Sequence, residues 1–230
     1  MFDGEIHATG HWKRDRSREL RRNLVMPMNV REPALRMKWA EDSMELSLAP
    51  LQGHWTEEQY LLLTDQTSHL VEFADGYVEV LPMPTDSHQV ILRFIFLALH
   101  AFLSPHGGVV LFAPLRVRIR EDKFREPDII LLLDGKDARR QERYWLGADL
   151  VVEVVSDDAP ERDLRDKRLD YAEAGIPEYW IVNPTNETIL VLRLDGKRYS
   201  ESGVFHRGEN AASRLLNGFT VPVSDVFDAQ

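Results

Sequence analysis

The sequence predicts a single mixed α/β domain, and three observations carry that expectation. Two apolar runs of strand length, PDIILLL and DLVVEVV, lie close together in the chain. A helical pattern and a further strand-like run, EYWIVN, follow them, so the elements alternate as in a sheet with a βαβ crossover. With 230 residues, 43% of them hydrophobic, the chain can bury one full-sized core plus some appendage.

Composition narrows the class. The chain has no cysteine, which removes disulfides and thiolate metal sites and fits a reducing cytosol. A cytoplasmic protein is expected, because no apolar stretch of the signal-peptide kind opens the sequence. The longest apolar run, VILRFIFLALHAFL, is interrupted by Arg93 and His100 and reads as too short for a bilayer, so no membrane partner is expected. A formal net charge of −10 speaks against a broad basic surface gripping duplex nucleic acid. Basic strips at LRVRIRED and at Arg139, Arg140 and Arg143 remain candidates, with a solvated strand edge or loop as the favoured reading.

Residues 1–50 read as a flexible N-terminal extension: polar, basic around HWKRDRSRELRR, and without a sustained apolar period. Residues 13–22 fit a short charged helix. Residues 51–230 carry the domain and more than the whole of the net negative charge, because residues 1–50 are slightly basic on balance. There Thr56 before Glu57 and Glu58 is a helix N-cap with acids in the first turn. HLVEFADGYVEVLPM predicts a hairpin about Asp75–Gly76. Thr85, Asp86 or Ser87 opens a long helix to about Leu103, apolar nearly all round, which Pro105, Gly107 and Gly108 end. Strands follow at VVLFAPLRVRI, PDIILLL and DLVVEVV, the last two joined by a polar loop over 134–148 and expected to pair antiparallel. A helix is expected from about Pro160 to Ala174, with Gly175 as its stop. EYWIVN should return parallel to DLVVEVV. ETILVLRL and KRYSES form a hairpin about Asp195–Gly196, and GFTVPVSDVF a last edge strand and turn.

The chemistry concentrates between Pro127 and Trp180. Along LVVEVV the side chains alternate, so Val151, Glu153 and Val155 share one face of the sheet. An acid inside such a strand is either paired with a buried cation or a ligand. Asp128, at a strand start, reads alone as a turn or cap aspartate and gains meaning from Glu153. Leu164, Lys167 and Tyr171 fall on one helix face, and that spacing favours a Lys167 directed inward over a surface pair with Asp163. Two carboxylates with a backbone carbonyl suit a hard divalent cation that keeps several waters. A lysine beside them suits phosphodiester hydrolysis, where negative charge develops on phosphate oxygens.

These residues belong to a longer series: PD at 127–128, EVVS at 153–156, Lys167, Tyr171 and AGIPEYWIVNP, with TEEQY, VEFADG, His88 after Thr85-Asp86-Ser87, and the closing PVSDVF. As a set, over roughly residues 53–227, the sequence resembles the bacterial Uma family (Uma-two) of restriction-endonuclease-like proteins, a branch of the PD-(D/E)XK nuclease-like superfamily. The resemblance implies a restriction-endonuclease-like αβββαβ core, here with an added N-terminal helix and hairpin and a C-terminal hairpin. It makes Asp128 the aspartate of the PD motif and Glu153 the acid of (D/E)XK. The superfamily's usual lysine position, two residues beyond that acid, holds Val155, so Lys167 would bring the ammonium from the following helix.

Glu72 is the candidate additional acid, beside its reading as a polar hairpin-face residue. His88 is a candidate accessory residue, with a helix cap as the favoured reading. Tyr171, Tyr179 and Trp180 are expected in the core or cleft wall. The implied function is an Mg2+- or Mn2+-dependent DNA endonuclease with the ion on Asp128 and Glu153. Val155 and the acidic charge keep open a catalytically inactive scaffold that binds DNA or protein. A homo-oligomer is compatible with both.

Overall fold

The structure is a computed structural model that describes the backbone of residues 34–39, 42–47, 49–156 and 162–230, and the side chains of 50–156 and 164–230. The chain divides into residues 1–32 and 33–230, and every described residue lies in the second unit. The expected short helix at 13–22 and the expected helix start at Pro160 lie outside the described residues.

Within the expected extension, β1 (Ala34–Trp39) and β2 (Asp42–Ser47) form an antiparallel pair with Met37 opposite Met44. Then α1 (Glu57–Thr64) opens at Thr56, whose hydroxyl accepts from the Gln59 N–H while the Gln59 side chain accepts from the Thr56 N–H. This reciprocal cap satisfies two of the helix's unpaired donors. β3 (Val71–Ala74) and β4 (Tyr77–Val80) form the expected hairpin. Its turn has Asp75 at φ 50° and Gly76 at φ 86°, the doubly positive geometry that matches strand twist. A Cβ at Gly76 would stand 2.9 Å from the Gly53 carbonyl carbon, so glycine is required there on two counts.

The long helix α2 (Asp86–Leu103) is capped by Thr85. By length and composition the stretch 86–106 can cross a membrane, contrary to the expectation from its polar interruptions. In this fold it is a core helix: Ile91, Leu92, Ile95, Leu99 and Leu103 are buried in the cluster that covers one sheet face.

The expected single strand VVLFAPLRVRI is two strands in different sheets. β5 (Val109–Phe112) ends before Pro114, which cannot donate to a ladder, and β6 (Val117–Arg120) starts beyond it. β7 (Lys123–Arg125), which the sequence did not announce, returns against β6 through a turn with Asp122 at φ 57°. β8 (Ile129–Leu132) and β9 (Leu150–Val154) pair antiparallel as expected. One π-helical turn, Arg162–Asp166, leads into α3 (Lys167–Glu173), so the regular helix is shorter than predicted. β10 (Glu178–Asn183) lies parallel to β9, as the crossover requires. β11 (Thr188–Asp195) and β12 (Arg198–Phe205) form the expected hairpin. The C-terminal segment differs from the edge strand foreseen. β14 (Thr220–Pro222) pairs with β13 (Asn210–Ala212) in a separate ribbon, and α4 (Val223–Phe227) follows.

The main sheet has the order β12-β11-β10-β9-β8-β5. Its central strands are buried on both faces, which explains their unbroken apolar runs. Ile129, Leu131, Val152 and Trp180 meet α2, while Ile130, Leu132, Val151 and Tyr179 meet Tyr171 of α3 on the other side. The αβββαβ core is therefore α2, β5, β8, β9, α3 and β10. The β6–β7 pair leaves this core between β5 and β8 and joins β3 and β4 in a four-stranded sheet of order β4-β3-β7-β6. There Tyr60 of α1 stacks on Phe73 at 5.1 Å. The Tyr60 hydroxyl donates to the Val71 carbonyl at 2.8 Å. The second sheet brings charged residues toward the start of β8 and the end of β9.

Candidate active site

A cavity of about 320 Å3 opens where β8 begins, β9 ends and α2 starts, and Asp128, Glu153, Lys167, His88 and Glu126 all line it. Strand alternation puts Glu153 on the α3 side with Val151 and Val155, as the sequence predicts. The Glu153 side chain is 2% exposed; one oxygen accepts from Lys167 Nζ at 2.8 Å and the other from the Tyr171 hydroxyl. Lys167 is equally buried, directed inward from the first turn of α3. The Asp163 side chain of the alternative pairing lies outside the described residues.

Asp128 stands just ahead of β8. Its Oδ2 accepts the Val154 N–H at 2.7 Å, which ties the start of β8 to the end of β9. Its Oδ1 lies 3.2 Å from Nε2 of His88. The cap reading of His88 is thereby corrected. The Thr85 hydroxyl is the cap, accepting from the His88 backbone N–H at 3.3 Å, and the imidazole is left to reach Asp128. Backbone and side chain of one residue serve different ends here, which sequence spacing does not separate.

Glu72 stands on the β3–β4 hairpin, where it is a buried acid of the second sheet. Its Oε1 is 3.7 Å from Lys167 Nζ, and its Oε2 receives Arg125 at 2.5 Å. Arg125 also grips Asp170, one turn beyond Lys167 on α3, with N–O separations of 2.6 and 2.7 Å. Lys123 pairs with the same Asp170. A closed set of ion pairs therefore runs from Glu153 through Lys167, Glu72 and Arg125 back to α3. Paired in this way, the buried charges avoid most of the penalty of an isolated one.

Glu126 went unnoticed in the sequence, although it stands only two residues before Asp128. Its Oε2 accepts the Val71 N–H at 3.2 Å. Burial first, and the neighbouring Glu72 charge second, raise its pKa to about 8. Burial and the Glu153 charge push the Tyr171 hydroxyl well above the usual tyrosine range, so it acts as a hydrogen-bond donor. Val155, at the superfamily's usual lysine position, is buried in the apolar cluster with Tyr171 and Ile176. Tyr179 and Trp180 are core residues on opposite sheet faces.

Among the described residues no three His, Cys, Asp or Glu side chains converge closely enough to enclose a metal ion. Two carboxylates opening on one cavity nevertheless suit Mg2+ or Mn2+, hard ions that keep several waters and take backbone carbonyl oxygens. Asp128 and Glu153 are the carboxylates at this cavity that such an ion would take.

The mixed sheet between two helices has a restriction-endonuclease-like α/β arrangement, and the comparisons with known proteins put the chain among nuclease-like proteins. The sequence model of the family Uma2, described as "Putative restriction endonuclease", matches residues 57–224, and the chain belongs to that family. The fold is similar to that of a solved structure described as a "putative nuclease belonging to DUF820" from Anabaena variabilis. The two share 20% identity at a TM-score of 0.65, over 76% of this chain and 98% of that one. No curated protein matches the chain.

Proposed function

We propose that the protein is a metal-dependent DNA endonuclease that hydrolyses phosphodiester bonds through Asp128, Glu153 and Lys167. The observation that carries this reading is the single cavity onto which the two carboxylates and the Lys167 ammonium open, with that ammonium 2.8 Å from Glu153. Asp128 and Glu153 would hold Mg2+ or Mn2+, and the chemistry such an ion supplies is neutralisation of the scissile phosphate and a more acidic attacking water. The protein's own groups do the rest. Lys167 stabilises negative charge as it develops on the phosphate oxygens. The Val154 N–H and His88 orient Asp128, and Tyr171 orients Glu153.

The test is nicking of supercoiled plasmid by the purified full-length chain with Mn2+. Glu153→Ala should abolish it, and Lys167→Ala should slow it by about a hundredfold. Nicking that survives Glu153→Ala would sink the assignment.

A second reading is a catalytically inactive scaffold that binds DNA or protein. It draws on the engagement of both Glu153 oxygens by Lys167 and Tyr171. Titration calorimetry with Mn2+ separates the two. An inert scaffold shows no metal binding that Asp128→Asn removes, whereas the endonuclease does.

A further inference from the structure

The mouth of the cavity carries a feature that hydrolysis alone does not use. Between β4 and α2 the chain runs Leu81-Pro82-Met83-Pro84-Thr85, and all five residues line the cavity that Asp128, Glu153 and Lys167 share. Met83 is 76% exposed, more than any other large apolar side chain among the described residues. Its backbone is held on both sides. The Leu81 N–H donates to the Leu70 carbonyl at 2.9 Å, Thr85 caps α2, and the flanking prolines each fix one backbone torsion. A flexible, polarizable thioether is therefore presented on a stiff support, backed by Leu70 and Leu81 at the same rim.

Cations, by contrast, are few among the described residues at this mouth. Among the described lining residues they are Lys167, already engaged by Glu153, and His88 when protonated. The chain's net charge of −10 and these two described cations give little grip on a phosphate backbone by charge alone. Apolar side chains, Met and Pro among them, serve elsewhere as wedges pushed between base steps, which unstack and kink the duplex.

We propose that Met83, stiffened by Pro82 and Pro84, is a specificity-determining wedge that inserts between bases beside the scissile phosphate. The substrate is then duplex DNA that unstacks readily at the cut, such as a mismatch or a flexible step. This rests on the endonuclease reading and names the substrate class of the same cavity.

The experiment uses the full-length chain, Mn2+ and short DNA duplexes with 2-aminopurine at a central position, either paired or opposite a mismatched base. Wild type should brighten 2-aminopurine on binding the paired duplex, and Met83→Ala should not. Met83→Ala should nick the paired duplex about tenfold more slowly, yet nick the mismatched duplex at the wild-type rate, because the mismatch already supplies the unstacking. Met83→Leu should restore both properties. Equal rates for wild type and Met83→Ala on the paired duplex would overturn the wedge, as would an equal loss on both duplexes. Wild type that neither binds nor nicks any duplex would overturn the endonuclease reading and the wedge with it.

Discussion

Two buried carboxylates share Lys167, and that arrangement dictates what its loss would do. In Lys167→Met, Glu153 and Glu72 keep their charges with fewer partners, so chemical denaturation should show a loss of about 3–5 kcal/mol. Tyr171→Phe removes one hydrogen bond to the Glu153 carboxylate and should cost about 1.5–3 kcal/mol in the same measurement. Glu126 gives a pH signature in metal-free protein. Its pKa is about 8 in the fold, against an ordinary value of 4.5. Between those two pH values the folded state keeps a proton that the unfolded chain has lost, so stability falls as pH rises through the window. Glu126→Gln, whose carbonyl can still accept from Val71, should flatten that fall. At pH 9 it should be the more stable protein by an amount on the order of a few kcal/mol. A denaturation series from pH 4 to pH 9 checks both statements. At this scale the sequence was informative where alternation or helical spacing decides the direction of a side chain, as for Glu153 and Lys167. It was silent on Arg125 and Asp170, whose partnership depends on how two sheets meet.

Elements were legible where their ends carry local chemistry. The Thr56 cap, the Asp75–Gly76 turn and the parallel return of β10 all follow from residues adjacent in sequence. The division of Val109–Ile119 between two sheets did not, because Pro114 ends a ladder without saying which sheet the chain enters next. The start of α3 is a similar case, since helical spacing does not distinguish a π turn from an α turn. Gly76→Ala tests the hairpin. The positive φ and the 2.9 Å approach to Gly53 together should make it destabilising by more than about 1 kcal/mol, measurable as a lowered Tm. Leu99→Ala on the buried face of α2 should cost about 2–5 kcal/mol for the cavity it leaves.

For the molecule as a whole, binding at the carboxylate pair should appear as stability. Mn2+ at a hundred times its Kd should stabilise the chain by about 2.7 kcal/mol, seen as a rise in Tm that Asp128→Asn abolishes. On the endonuclease reading, a protein with this acidic balance should also show a shallow dependence of DNA affinity on salt, as expected where few phosphates are neutralised. A filter-binding series across ionic strength measures the slope. The ring of ion pairs around Lys167 carries a kinetic consequence as well. Glu72 and Arg125 are 53 residues apart, and Arg125 and Asp170 are 45 apart. Contacts of such long sequence separation close only after much of the chain has been ordered. A nascent or partly unfolded chain therefore has no assembled ring to hold Lys167, and whatever chemistry the cavity performs is reserved for molecules that have finished folding.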